Sequence, residues 1–206
     1  MTKKQVAILW GLTAVVLIVF VLVGRGISRS SQKRRSPGTA SSQKTYSLPQ
    51  ISQSARNLYP LADQAARSWQ KDARLVSASA SWLFVKVDDF SEPTNWTFQF
   101  FSPRTQKIYV VSAGEDQVTV IRDSLSPYVL PSAPLGEWLL DSNQALTIWL
   151  NNGGSGFLAE YPVVNVSAML QPPEDGGLEW VVAGTVQDSQ AVHRVRIDAQ
   201  SGTLSQ

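Results

Sequence analysis

The segment Asp63-Gln64-Ala65-Ala66-Arg67-Ser68-Trp69 returns eighty positions later as Asn143-Gln144-Ala145-Leu146-Thr147-Ile148-Trp149. After each copy the apolar spacing changes from helical to alternating. A Trp-led run follows, and then a third run that stops at a small polar turn. A helix followed by strands, used twice, restricts the folded part to an α+β unit that is duplicated along the chain.

Not all 206 residues can share one core. Val6 to Val23 carries no charge over eighteen residues, which at 1.5 Å per residue spans roughly 27 Å, close to the thickness of a bilayer interior. This predicts an N-terminal transmembrane helix over 6–23, after a flank of 1–5, with the lipid bilayer as its partner. A cleaved signal peptide is the alternative, since Lys3 and Lys4 form a basic start. The length of the run, and Val23-Gly24-Arg25-Gly26 in place of an Ala-x-Ala site, favour an uncleaved anchor.

Charge is divided unevenly. Eight of the 18 Lys and Arg lie at or before Lys44, while all 16 Asp and Glu lie after it, leaving ten basic against sixteen acidic residues there, a net of −6. An acidic folded part argues against a nucleic-acid partner, which calls for a basic face. Arg25, Arg29, Lys33, Arg34, Arg35 and Lys44 could lie against anionic lipid headgroups or serve as a solvated flank. By the positive-inside count they place the domain in the cytoplasm. Cysteine is absent, so disulfides and thiol chemistry are excluded.

Residues 24–53 are rich in Ser, Gln and basic side chains and read as a flexible linker. A first unit over 54–122 opens with Leu58, Leu61, Ala62, Ala65, Ala66 and Trp69 on one helical stripe, with Pro60 in the first turn. Val76, Ala78, Ala80, Trp82 and Phe84 alternate as a strand. Trp96, Phe98 and Phe100 form a second strand and Ile108 to Val111 a third, which Val118 to Ile121 extends. Pro127, Pro131 and Pro134 mark a connector over 123–136. The second unit, 137–206, has a helix near Asp141 to Asn151, ended by Asn151-Asn152-Gly153-Gly154, and strands led by Val164, Trp180 and Val192.

The ending Val195-Arg196-Ile197-Asp198-Ala199-Gln200-Ser201-Gly202-Thr203-Leu204, together with the Asn143-Gln144-Ala145-Leu146 helix, resembles the PepSY domain. The first copy matches in outline only, with Ser112 in place of the Asp. The resemblance covers about 65 residues closely and 70 more loosely. It implies two PepSY- or cystatin-like repeats, each a helix on an antiparallel sheet. It also implies an extracytoplasmic interaction or inhibitory module with no catalytic residue to carry over. Independently of the family, Asp198 can accept backbone N–H groups in a turn and Gly202 can supply a positive φ.

His193 is the one histidine, so triads and two-histidine zinc sites are excluded, and an exposed strand position is expected for it. Asp88, Asp89 and Glu92 lack the ligand spacing of a calcium loop. Asn152-Gly153-Gly154-Ser155-Gly156 follows a helix instead of leading into one, the wrong order for a phosphate cradle. No cofactor or metal is expected. Trp69, Trp82, Trp96, Phe98, Trp149 and Trp180 are expected in the core. Leu83, Tyr109, Val111 and Val181 are assigned to the opposite sheet faces, where they pack copy on copy or meet a partner.

The resulting expectation is a non-enzymatic, single-pass membrane protein of the cell envelope. Its domain binds a protein or peptide through a sheet surface or edge. Inhibition or chaperoning of an envelope peptidase, and a structural place in a membrane assembly, are the alternatives.

Overall fold

A computed structural model describes residues 53–205 except 87–92, 94, 115–116 and 188, with the backbone alone at Phe84. Helix α1 (Ala55–Trp69) precedes strands β1 (Arg74–Val85), β2 (Trp96–Ser102), β3 (Lys107–Ala113) and β4 (Val118–Leu125). A 3-10 turn (Leu135–Glu137) leads to α2 (Ser142–Trp149), a kink (Leu150–Gly154) and α3 (Ser155–Glu160). Strands β5 (Val164–Gln171), β6 (Glu179–Val186), β7 (Val192–Asp198) and β8 (Leu204–Ser205) complete the chain.

The strands form one antiparallel sheet in the order β4-β3-β2-β1-β5-β6-β7-β8. This corrects the expected architecture. The halves are not two separate helix-plus-sheet repeats, because β1 and β5 pair edge to edge through Ala78↔Leu170, Ala80↔Ala168 and Trp82↔Val166. Face-to-face packing of copy on copy is overturned by the same pairing. The membrane element is corrected too: no helix among the described residues is long and apolar enough to cross a membrane. The expected span at 6–23, its flank and nearly all of the 24–53 linker lie outside those residues, as do Asp88, Asp89 and Glu92.

One sheet face carries the helices and the core. Strands lie about 4.8 Å apart, so Trp96 on β2 and Trp180 on β6 start three spacings, roughly 14 Å, from each other. Their rings nevertheless meet edge to face with centroids 5.8 Å apart. Small alanines at Ala78, Ala80 and Ala168 on the two strands between leave room for that contact. Trp82 and Trp138 extend the chain of rings, at 6.1 Å from Trp96 and 6.3 Å from Trp180. Trp82, Trp96, Phe98, Trp149 and Trp180 are buried, and Trp69 is half-buried against the same cluster.

The indoles also tie the helices down. Trp96 Nε1 donates to the Gln53 carbonyl and Trp180 Nε1 to the Leu140 carbonyl, each at 2.9 Å. Each acceptor sits one residue before an N-cap, Ser54 for α1 and Asp141 for α2. Ser54 Oγ accepts from Asn57 N, and Asp141 forms a capping box with Gln144. Asp141 Oδ1 also accepts from Arg56 N at 3.1 Å, and Ser142 Oγ from Ala55 N at 3.2 Å. The second half thus satisfies orphan donors of the first helix.

Equivalent N-caps are 87 residues apart, whereas the repeated motif is offset by 80. The difference of seven residues is two helical turns, which preserves the buried face but not the depth along the helix. Asp63 lies nine residues past its cap and Asn143 only two past its own. Trp69 therefore stacks on Tyr109 at 4.7 Å, while Trp149 lies 5.8 Å from His193. Pro60 is the sixth residue of α1 and lies outside its first turn, because the helix starts at Ala55.

Candidate interaction edge

The sheet face away from the helices is polar. One row across all eight strands reads Thr119, Ser112, Thr97, Ser79, Met169, Val181, Arg196 and Ser205. The expected apolar surface does not exist there. Tyr109 and Val111 turn the other way and are buried beneath α1, whereas Leu83 is exposed and Val181 half-buried on the polar face. Those four residues do not form one surface.

Exposed apolar side chains gather instead at the β4 edge. Ile121 is 57% exposed and Leu125 72%, beside Val120, and Tyr128 and Val129 follow. The strand holds to β3 through seven rungs from Lys107↔Leu125 to Ala113↔Val118. Val111 pairs with Val120 and Val110 with Arg122, so Ile121 is an extra residue, a bulge. The bulge explains why apolar side chains of adjacent numbers are both in solvent.

The two charged side chains of this strand are exposed, and each has a polar partner. Asp123 accepts from Trp69 Nε1 at 3.1 Å and lies 3.5 Å from Lys107 Nζ. Arg122 Nε donates to Ser124 Oγ at 2.9 Å. Ser126 then ends the strand, its N–H on the Gln106 carbonyl at 2.7 Å and its hydroxyl on the Tyr128 carbonyl at 2.7 Å. An edge strand keeps alternate N–H and C=O groups unpaired on its outer side. The arrangement at β4 can accept another strand.

The opposite edge ends in a turn whose chemistry is legible in the sequence, with β8 pairing only Arg196 and Ile197 of β7. Asp198 Oδ1 accepts from Gln200 N, Ser201 N and Ser201 Oγ at 3.0, 2.6 and 2.8 Å, and Gly202, at φ +76°, returns its N–H to the Asp198 carbonyl. The Ser201 backbone bond, then its hydroxyl, holds the Asp198 carboxyl below the usual carboxylate range. Beside it Arg196 grips buried Glu179 with two bonds of 2.8 and 3.0 Å.

His193 departs from its expected exposed position. Its ring packs against Trp149 and Phe157, with Nε2 3.0 Å from the Asn152 carbonyl. A side chain on Gly153, at φ +105°, would meet that ring at 2.8 Å. The Asn151–Gly154 stretch ends the helix as expected, with non-helical backbone at Asn152 and a positive φ at Gly153, and α3 starts directly after the kink. Among the described residues no group of three or more His, Asp or Glu could hold a metal ion.

No family model matches this chain, and no curated protein matches it. Among solved structures it is similar to a "putative lipoprotein" from Clostridium difficile 630, at 16% identity and a TM-score of 0.47. The match covers 72% of this chain and 90% of that one. A likeness of that size carries no functional reading.

Proposed function

We propose that this chain is a non-catalytic binding module that captures an extended segment of a partner protein by strand addition at β4. The observation that supports this reading most is an eight-residue edge strand with Val120, Ile121 and Leu125 in solvent. Main-chain hydrogen bonds would supply affinity, and the alternate apolar positions would supply selectivity. Kinship with PepSY domains and a place at the cell envelope belong to the same proposal. They rest on the 195–204 ending.

Selection of a random twelve-residue peptide library on the full-length chain tests the idea, read with amide hydrogen exchange. Peptides with alternating apolar residues should emerge and should protect amides of β4. Selected peptides that protect other amides and leave β4 unchanged would refute the reading.

A further inference from the structure

On the helix side of the sheet, the second half of α1 meets the start of β1 and residues 132–135. A groove of about 180 Å³ lies between them, lined by Tyr59, Asp63, Arg67 and Arg74 among others. Sites for drug-sized molecules run to about 300–1,000 Å³, so this space admits a small acid or one residue of a chain. The 132–135 wall is fixed, because Ala133 N donates to the Leu75 carbonyl at 2.7 Å.

The charged side of the groove is organised before any ligand arrives. Tyr59 Oη donates to Asp63 Oδ1 at 3.0 Å, and Arg67 Nε donates to Asp63 Oδ2 at 2.6 Å. The three residues repeat at four-residue spacing on one helix face, so each reaches the next. Burial first, and then Asp63, keep the Tyr59 phenol protonated far above its ordinary range, so it remains a donor at every physiological pH. Arg67 is oriented by this relay. Arg74 lines the same groove, and its side chain makes no hydrogen bond or ion pair among the described residues.

Two guanidinium groups against one carboxylate leave an excess of one positive charge. Leu75 and Leu135 add apolar lining beside it. We infer that this groove is a binding site for a monocarboxylate with a short apolar tail, seated on Arg74 and the Asp63-oriented Arg67. Planar forks of N–H donors match a carboxylate in both charge and shape. The acid could be a free small molecule or the end of a peptide chain. Solvent reaches the groove, so a dissociation constant on the order of a millimolar is expected for the small acid.

Titration of the ¹⁵N-labelled full-length chain with butyrate, followed at the arginine side-chain resonances at constant ionic strength, tests this. Saturable shifts at Arg67 and Arg74 are expected, with no response to neutral butyramide. Arg74→Gln should weaken binding at least tenfold, while Arg194→Gln, on the other sheet face, should leave it unchanged. Acetyl-Ala-Val binding tenfold tighter than butyrate would support a chain end, and equal or weaker binding would support a free acid. Equal shifts with butyramide, shifts that never saturate, or an Arg74→Gln variant that is folded by near-ultraviolet circular dichroism and binds butyrate as before would each overturn the site.

Discussion

The two ends of this sheet solve the same problem differently. At the β8 end the last strand is two residues long and follows a turn saturated by Asp198, and a buried Glu179 with its arginine stands behind it. At the β4 end eight residues run open, and the aliphatic side chains face water. Proteins blunt an edge with short strands, charges or bends. The β8 end uses the first two. The β4 end has a bulge and the adjacent charges Arg122 and Asp123, the latter bonded to Trp69 and near Lys107. A difference of this kind within one sheet is what motivates the proposed strand addition at β4.

Removing the anchor of the β8 end should have the largest effect on stability. Arg196→Ala leaves Glu179, 3% exposed, with the Gln171 amide as its remaining side-chain donor, and should cost about 3 kcal/mol. Urea unfolding measures it, and a loss below about 1 kcal/mol would show that the carboxylate finds water. Peptide binding at β4 should be untouched.

Ile121→Lys replaces an exposed apolar side chain of the open end by a charge. We expect at least a tenfold loss of selected-peptide affinity, about 1.4 kcal/mol, with stability within about 0.5 kcal/mol of the parent because the site is exposed. Calorimetric titration and thermal unfolding read the two effects separately. An unchanged affinity would remove β4 from the binding surface.

Asp123→Asn should cost less than about 1 kcal/mol, since its ion pair with Lys107 is long and half in solvent. If it costs as much as Arg196→Ala, the two ends are anchored alike and the contrast fails. The smallest effect is in acid. The folded Asp198 carboxyl lies below its unfolded range, so its contribution is complete above that range and declines as pH falls through the folded value. Asp198→Asn should flatten the acid limb of a stability–pH curve and leave neutral behaviour little changed in slope.

Much of the local order was readable from residue spacing. The Trp96, Phe98 and Phe100 alternation and the Asp198–Gly202 turn follow from short-range chemistry. What the sequence concealed was long-range. Nothing in Ser77-Ala78-Ser79-Ala80-Ser81 announces that its partner is β5, because small residues alternate equally well in a strand with one neighbour or two. The seven-residue slip between the repeated motif and the caps is invisible to periodicity, since two turns return to the same face. Tyr109 and Val111 were misplaced because they share a parity, and parity alone does not say which face is dry. The β4 edge escaped notice because a bulge breaks its alternation at Ile121. Asp63, Arg67 and Arg74 were readable singly, but only α1 lying beside the start of β1 brings them together.

The β1–β5 seam has a kinetic consequence. Its partners lie about ninety residues apart in the chain, and α1 receives two of its N-terminal hydrogen-bond acceptors from Asp141 and Ser142. The first half emerging from a ribosome therefore has an open β1 flank and an incompletely capped helix until the second half has been made. Non-local antiparallel sheets of this kind fold on the order of milliseconds to seconds. Over that interval the nascent β1 is a sticky surface that invites chaperones or misassembly with neighbouring copies.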